Sequence, residues 1–183
     1  MKKIFAVILC LAILMGLTAC SGSFEDILNS RVEYAESNTA QYNKILEDAG
    51  ITHASPVFGE NIASYVSKED NNGIFCADYV YKNDVVTAWA ETSYIYVKDY
   101  TDEQLINLRM NLQNELDYLE LLKCCKMSMT QVGDYYKVSC VFTDVDKEEN
   151  YDALYRAELT TENTSVSMKA SEELQLEQGA VKK

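Results

Sequence analysis

Side chains capable of nucleophilic or redox chemistry are few in this sequence. The 183-residue chain contains a single histidine, His53, and six cysteines. A metal site built from several histidines is therefore excluded, and a Ser/His or Cys/His catalytic pair has to use His53. No Cys-x-x-Cys motif occurs, and His53 falls in a segment that we expect to be irregular, so no redox motif or activated nucleophile is indicated.

Carboxylates are the abundant functional groups. The chain has 29 Asp and Glu against 16 Lys and Arg, a formal charge of -13, which argues against binding to nucleic acid. Residues 144–150 carry oxygen ligands at alternating positions, as calcium loops do. The segment lacks the glycine of an EF-hand loop and contains Lys147, so we interpret it as a solvated acidic turn and predict no metal or cofactor.

Tyrosine is the most frequent aromatic residue, with 13 copies. Pairs such as Tyr79 with Tyr81 and Tyr94 with Tyr96 would suit a stacking platform for a sugar or peptide. Alternation along a strand sends half of such residues into the core, and tyrosine favours strands for packing reasons alone. A structural role is therefore the favoured interpretation.

The N-terminal sequence is typical of an export signal. Lys2 and Lys3 precede an apolar run from Ile4 to Leu17, about 14 residues, which is short for a membrane span but typical of a secretory signal. The run ends in Leu17-Thr18-Ala19-Cys20, which resembles the lipobox of bacterial lipoproteins. The resemblance implies that the Cys20 thiol receives a diacylglyceryl group and that cleavage occurs before Cys20. An ordinary secretory signal and an uncleaved apolar anchor are the alternatives.

This interpretation predicts the segment boundaries of the chain and its location in the cell. We expect a signal peptide at 1–19, a lipidated tether at 20–23, an N-terminal helix with an irregular segment at 24–73, and an α+β domain at 74–183. Loss of Lys2 and Lys3 with the signal takes the formal charge from -13 to -15. Two or three acyl chains hold a protein stably on a bilayer, so the domain is predicted to sit on the outer face of the cytoplasmic membrane.

Periodicity and turn signals predict the elements that must position these side chains. We expect helices at about 24–49, 102–123 and 165–178, one hairpin with strands at 74–81 and 85–97, and a second hairpin turning at Gly133-Asp134. The ambiguous segments are 51–73, with at most a short element near Ile62 to Val66, and 146–164. The order predicts an α+β fold, an antiparallel sheet of two hairpins with helices packed on one face.

The two turns also predict strand registers. A two-residue turn at Asn83-Asp84 gives a core face of Phe75, Ala77, Tyr79, Tyr81, Val86, Ala88 and Ala90, and an opposite face of Cys76, Asp78, Trp89 and Glu91. The Gly133-Asp134 turn places Met129 opposite Val138, Met127 opposite Cys140 and Cys125 opposite Phe142.

Four sequence features together resemble the YehR-type small bacterial lipoproteins. They are the run from Tyr79 to Val86, the long helix, the Gly133-Asp134 hairpin ending in Phe142-Thr143-Asp144, and the closing segment from Ser171 to Gly179. The resemblance covers roughly 74–183. It implies an α+β fold and lipidation, and it transfers no catalytic residue because the family has no assigned reaction.

The four cysteines left after processing permit two disulfides outside the membrane. Cys125 and Cys140 would be diagonal neighbours at the edge of disulfide reach, and a bond between the adjacent Cys124 and Cys125 would be strained. Cys76 with Cys124 is thus the candidate bridge. Buried free thiols are the other interpretation, because cysteine packs as a small hydrophobe.

Together these features indicate a membrane-anchored extracytoplasmic lipoprotein that binds an unidentified protein or small ligand and is not an enzyme. The alternative is a carboxylate-based or metal-assisted hydrolase, which needs at least two carboxyl groups with pKa values raised by burial in one concave site.

Overall fold

A computed structural model describes residues 38–119 and 121–183. The helices and strands, in chain order, are α1 (described over 38–48), β1 (Ile62–Lys68), β2 (Ile74–Lys82), β3 (Val85–Tyr96), α2 (Asp102–Leu119), β4 (Cys125–Val132), β5 (Tyr135–Thr143), α3 (Glu148–Arg156), α4 (Met168–Glu177) and β6 (Val181–Lys182). The first part of the predicted helix at 24–49 lies outside the described residues. Its end is confirmed near Gly50, which has a φ of 67°.

The strands form a six-stranded antiparallel sheet in the order β4-β5-β3-β2-β1-β6. The predicted α+β class is confirmed. The sheet contains a third hairpin, β1 with β2, in addition to the two predicted ones. The short element expected near Ile62 is thus a full strand, which brings part of the segment 51–73 into the same sheet as residues 74–183.

Both predicted turns set the registers expected from the sequence. Asn83 and Asp84 have φ values of 49° and 67°, as a two-residue hairpin turn with left-handed central residues requires, and Lys82 pairs with Val85. In the second hairpin, Cys125 pairs with Phe142, Met127 with Cys140 and Met129 with Val138. The local turn chemistry therefore fixes the pairing of the second hairpin and the first two pairs of the first hairpin, Lys82 with Val85 and Tyr81 with Val86.

The predicted faces of β3 are wrong beyond Val86, because a β-bulge interrupts its pairing with β2. Tyr81 pairs with Val86 and Val80 with Ala88, so Thr87 is the extra residue. An extra residue shifts the alternation by one, which exchanges the two faces of everything that follows. Ala88 and Ala90 consequently leave the predicted core face, and Trp89 and Glu91 take it.

The sheet is covered on both faces. On one face, α2, α3 and α4 bury the main core, which includes Tyr65, Ala77, Trp89, Phe142, Leu116, Leu154 and Met168. On the other face, Tyr42 and Leu46 of α1 pack against Val66, Cys76 and Tyr94. The sequence predicted every helix, including the one at 24–49, on a single face, whereas the described part of that helix, α1, covers the opposite face.

Helix α4 is attached to the β2–β3 turn at its N-terminus. The Ser167 hydroxyl accepts a hydrogen bond from the Ala170 N–H at 3.2 Å, and the Asp84 carboxylate accepts one from the Lys169 N–H at 2.6 Å. These bonds satisfy helix N–H groups that have no partner within the helix. The turn therefore determines where α4 crosses the sheet.

In the described part of the chain, no helix has both the length and the apolar character needed to cross a membrane.

Candidate functional site

The residues singled out in the sequence do not come together in one place. Cys20, the predicted lipidation site, lies outside the described residues. Cys76 is in β2 and Cys124 immediately precedes β4, so β3 and β5 lie between them, and they belong to the cores on opposite faces of the sheet. Three strand spacings amount to about 14 Å, whereas a disulfide tolerates a Cα separation of only about 7 Å. The Cys76–Cys124 bridge is therefore wrong, and both residues are buried free thiols.

The buried thiols are poor nucleophiles. Burial, with a smaller contribution from the Glu91 carboxylate, raises the pKa of Cys140 to about 12. Burial and the nearby Asp78 also raise the pKa of Cys76 well above its ordinary value. A thiol reacts as its thiolate, so these groups act as core side chains at neutral pH.

Residues 144–150 form a turn that leads into α3. The Asp144 carbonyl accepts hydrogen bonds from the Lys147 N–H at 3.1 Å and from the Asn150 side-chain amide at 2.8 Å. No cluster of three or more His, Cys, Asp or Glu within residues 38–119 and 121–183 is arranged to hold a metal ion.

The tyrosines do not form a shared platform, since Tyr79 and Tyr94 are buried in the cores on opposite faces.

His53, which the sequence left in an irregular segment, is the centre of a buried polar network. Its Nε2 lies 2.9 Å from Asp78 Oδ2, and its Nδ1 lies 2.9 Å from the Tyr94 hydroxyl oxygen. Ser64 donates to Asp78 Oδ1 at 2.6 Å. The side chains of His53 and Asp78 are 2% and 1% exposed.

One tautomer satisfies the whole network. When the Nε2–H of His53 donates to Asp78, its Nδ1 accepts the O–H of Tyr94, and each ring nitrogen has a partner. The order Tyr94, His53, Asp78 matches the order of groups in a hydrolase triad, but the Tyr94 side chain is 1% exposed and no substrate can reach it. The network therefore attaches the segment after α1 to the sheet, and we assign it a structural role.

A second concave surface lies on the opposite face of the sheet. A cleft of about 770 Å³ runs between β2, β3, α4 and the segment that precedes α4. Its lining combines the aromatic residues Tyr79 and Trp89, the hydroxyl residues Thr160, Thr161, Thr164, Ser165, Ser167 and Ser171, the amide of Gln175, and the carboxylates of Glu91, Glu162, Glu173 and Glu177. We refer to it as the Glu91 cleft.

Glu91 reaches this cleft because of the bulge at Thr87. Two residues before it, Trp89 stacks on Phe142 with ring centroids 4.6 Å apart, which holds the strand against the core. Burial raises the pKa of Glu91 from 4.5 to about 7, and a hydrogen bond from the Trp89 side chain opposes the shift. The neighbouring Tyr79 hydroxyl accepts a hydrogen bond from Gln175 Nε2 at 3.1 Å.

The chemistry of the cleft follows from its charges. None of the described residues that line it is Lys, Arg or His, so the Glu91 carboxylate has no cationic partner there. Burying a carboxylate is unfavourable unless a charge or hydrogen bonds compensate it. A carboxyl group with a pKa near neutrality can either receive a ligand's donor groups or transfer protons.

Comparisons with solved structures give two similar folds, each at 16% sequence identity. One is the NMR structure of a protein from Streptococcus pneumoniae TIGR4, with a TM-score of 0.46, covering 73% of this chain and 94% of that one. The other is the NMR structure of the E. coli YehR protein, with a TM-score of 0.49, covering 68% of this chain and 93% of that one. No protein-family model matches the chain, and no curated protein matches it.

Proposed function

We propose that this protein is an extracytoplasmic lipoprotein, anchored by lipid on Cys20 to the outer face of the cytoplasmic membrane, that binds a ligand in the Glu91 cleft without converting it. The observation that carries the binding role is the Glu91 carboxyl group on the wall of an open cleft, where it accepts a hydrogen bond from Trp89 but faces no cationic side chain of the described lining. A carboxyl group that only stabilised the fold would be expected to accept several hydrogen bonds, as Asp78 does from His53 and Ser64 on the opposite face.

The lining of the cleft is consistent with reversible binding. Its hydroxyl, amide and carboxyl groups can exchange hydrogen bonds with water for hydrogen bonds with a ligand, whereas the aromatic residues beneath them fix the shape of the wall. The two aromatic residues are almost fully buried, Tyr79 at 7% and Trp89 at 4% exposure. The floor is therefore preformed, which lowers the entropic cost of binding.

The anchor is supported by the sequence alone. The apolar run, the lipobox-like Leu17-Thr18-Ala19-Cys20 and the three-residue tether that follows agree in position and order. A domain of charge -15 beside an anionic bilayer surface is repelled from it, which favours an orientation with acidic surfaces such as the Glu91 cleft directed away from the lipid.

Replacement of Cys20 by serine tests the anchor. Serine cannot form the thioether to diacylglycerol, so Cys20→Ser is expected to accumulate as the uncleaved precursor or to leave the membrane fraction. Cell fractionation with immunoblotting, combined with metabolic labelling by radioactive palmitate, measures both effects. Cys10→Ser, within the apolar run, is the matched control and should be processed and labelled normally. A Cys20→Ser protein that remains cleaved and membrane-bound would contradict the proposal.

One observation favours the second candidate function, a carboxylate-based or metal-assisted hydrolase. A pKa of about 7 suits Glu91 as a general acid or base at neutral pH. Hydrolysis by two carboxyl groups would need a partner from Glu162, Glu173 or Glu177, all of which are exposed. If mass spectrometry detects hydrolysis of a bound ligand, and Glu91→Gln abolishes it, the hydrolase function would be favoured over simple binding.

A further inference from the structure

We propose that the Glu91 cleft binds a linear polyamine, with one primary ammonium group placed against the Glu91 carboxylate. This inference rests on the proposed function, that the cleft is a ligand site, and it adds the chemical class of the ligand.

The first argument is the charge of the lining. Four carboxylates line the cleft, and its described lining contains no basic side chain. The basic residue nearest in sequence to the lining, Lys169 on α4, is exposed and is not itself part of the lining. Its Nζ lies 4.0 Å from Oε1 of Glu173, so one of the four carboxylates has a cationic partner at the rim. An anionic ligand would meet repulsion from every charged group, whereas a cation would be attracted by each of them.

The second argument is the hydrogen bonding of Glu91. A carboxylate offers about four acceptor positions, and the Trp89 side chain occupies one of them. An ammonium group supplies three donors and a positive charge, so it can bond the remaining acceptor positions of Glu91 and balance the charge of this half-buried carboxylate. A neutral sugar would supply donors alone and would leave the charge in place.

The third argument is the extent of the cleft. A volume of about 770 Å³ far exceeds that of one ammonium group. Glu162, from the segment before α4, and Glu173 and Glu177, on α4, give a long cation further carboxylates beyond Glu91. The threonine and serine hydroxyls between them can accept hydrogen bonds from additional amine groups.

Proton exchange should accompany binding. Glu91 faces Tyr79 from β2 and Cys140 from β5, and it shares the cleft with Glu162, Glu173 and Glu177. None of these neighbours is positively charged, so an incoming ammonium group favours the ionised form of Glu91. With a pKa of about 7, the carboxyl group is mostly protonated at pH 6 and mostly ionised at pH 8. A polyamine should therefore displace about one proton at pH 6 and bind roughly tenfold more tightly at pH 8.

Titration of the purified protein with spermidine in nonionic detergent tests the inference. Isothermal titration calorimetry in two buffers of different ionisation enthalpy gives both the affinity and the number of protons released. We expect Glu91→Gln to weaken spermidine binding by roughly tenfold and to abolish the proton release. Glu60→Gln, which removes an equal charge from an exposed residue outside the cleft, should change the affinity less than about twofold.

Several outcomes would overturn the inference. Equal binding of spermidine by the parent protein and Glu91→Gln, or equal heat from Mg²⁺ at the same ionic strength, would show attraction to the acidic surface alone. Amide shifts of cleft residues with trehalose but not with spermidine would refute the polyamine class and leave the ligand site standing. If neither spermidine nor trehalose shifts the amide NMR signals of the cleft residues, the inference is refuted and the proposed function is weakened as well.

Discussion

Replacement of Asp78 by alanine is expected to lower the free energy of unfolding by about 3–5 kcal/mol. The substitution leaves His53 Nε2 and the Ser64 hydroxyl without their acceptor, in a place where the His53 side chain is 2% exposed. A buried polar group deprived of its partner bears its full desolvation cost, and two such groups arise here.

The conservative variant Asp78→Asn tests whether the hydrogen bonds of Asp78, and not merely its presence, stabilise the fold. In Asp78→Asn, the amide oxygen can still accept from Ser64, and the amide N–H can donate to His53 Nε2 if the proton of the ring moves to Nδ1 and faces Tyr94. The expected loss is therefore only about 1–2 kcal/mol. Asp99→Ala, at an exposed residue of the β3–α2 connection, is the control and should change stability by less than about 0.5 kcal/mol.

Urea unfolding followed by circular dichroism at pH 7 measures these differences. If Asp78→Ala does not fold, the smaller loss in Asp78→Asn remains measurable. A loss below about 1 kcal/mol in Asp78→Ala would contradict the structural role of the network.

Replacement of Glu91 by glutamine is expected to stabilise the protein at alkaline pH, by about 2–4 kcal/mol at pH 8. The folded state raises the pKa of Glu91 from 4.5 to about 7, so folding favours the protonated form. The contribution of Glu91 to stability is fully present below the ordinary pKa and is lost as pH rises through the folded value. Glutamine resembles the protonated acid at every pH and escapes that loss.

The pH dependence distinguishes this effect from a simple repacking. Near pH 4 the two proteins should have similar stability, and the difference should grow between pH 4.5 and pH 7. Glu60→Gln, at an exposed residue, is the matched control and should change stability by less than about 0.5 kcal/mol. Urea unfolding at each pH provides the measurement, and a constant difference between the two proteins across this range would refute the assignment.

Much of the sheet is predictable because hairpin pairing is decided locally. The Asn83-Asp84 and Gly133-Asp134 turns set the expected pairs at Lys82 with Val85 and at Met127 with Cys140. Turn type fixes the first pair of each ladder, and alternation propagates it. Helix α2 is likewise predictable, because leucines recur at helical spacing from Leu105 to Leu119.

The bulge at Thr87 could not be predicted from the turn alone, because part of its support comes from Val145, which is remote in sequence. The Thr87 carbonyl accepts from the Val145 N–H at 3.1 Å, and the Thr87 hydroxyl donates to the Val80 carbonyl at 3.3 Å. One signal was present in the sequence: simple alternation would have put Ala88 and Ala90 in the core and the large Trp89 opposite. The position of Glu91, and with it the cleft, depends on this one inserted residue.

The His53 network depends on tertiary structure in the same way. His53 is 25 residues from Asp78 and 41 residues from Tyr94, and only the packing of α1 on the second face of the sheet buries all three. Alternation correctly put Asp78 on the face opposite Phe75 and Ala77. It could not reveal that α1 covers that face, and the assumption of a one-sided sheet left Asp78 in solvent.

The most direct test of the central claim, that the Glu91 carboxyl group forms a ligand site, is a ¹³C NMR titration of the Glu91 side chain in the purified protein. We predict a midpoint near the pKa of about 7 without ligand, and a shift to lower pH when spermidine is present. A midpoint at the ordinary glutamate value of 4.5, or a midpoint near 7 that spermidine leaves unchanged, would contradict it.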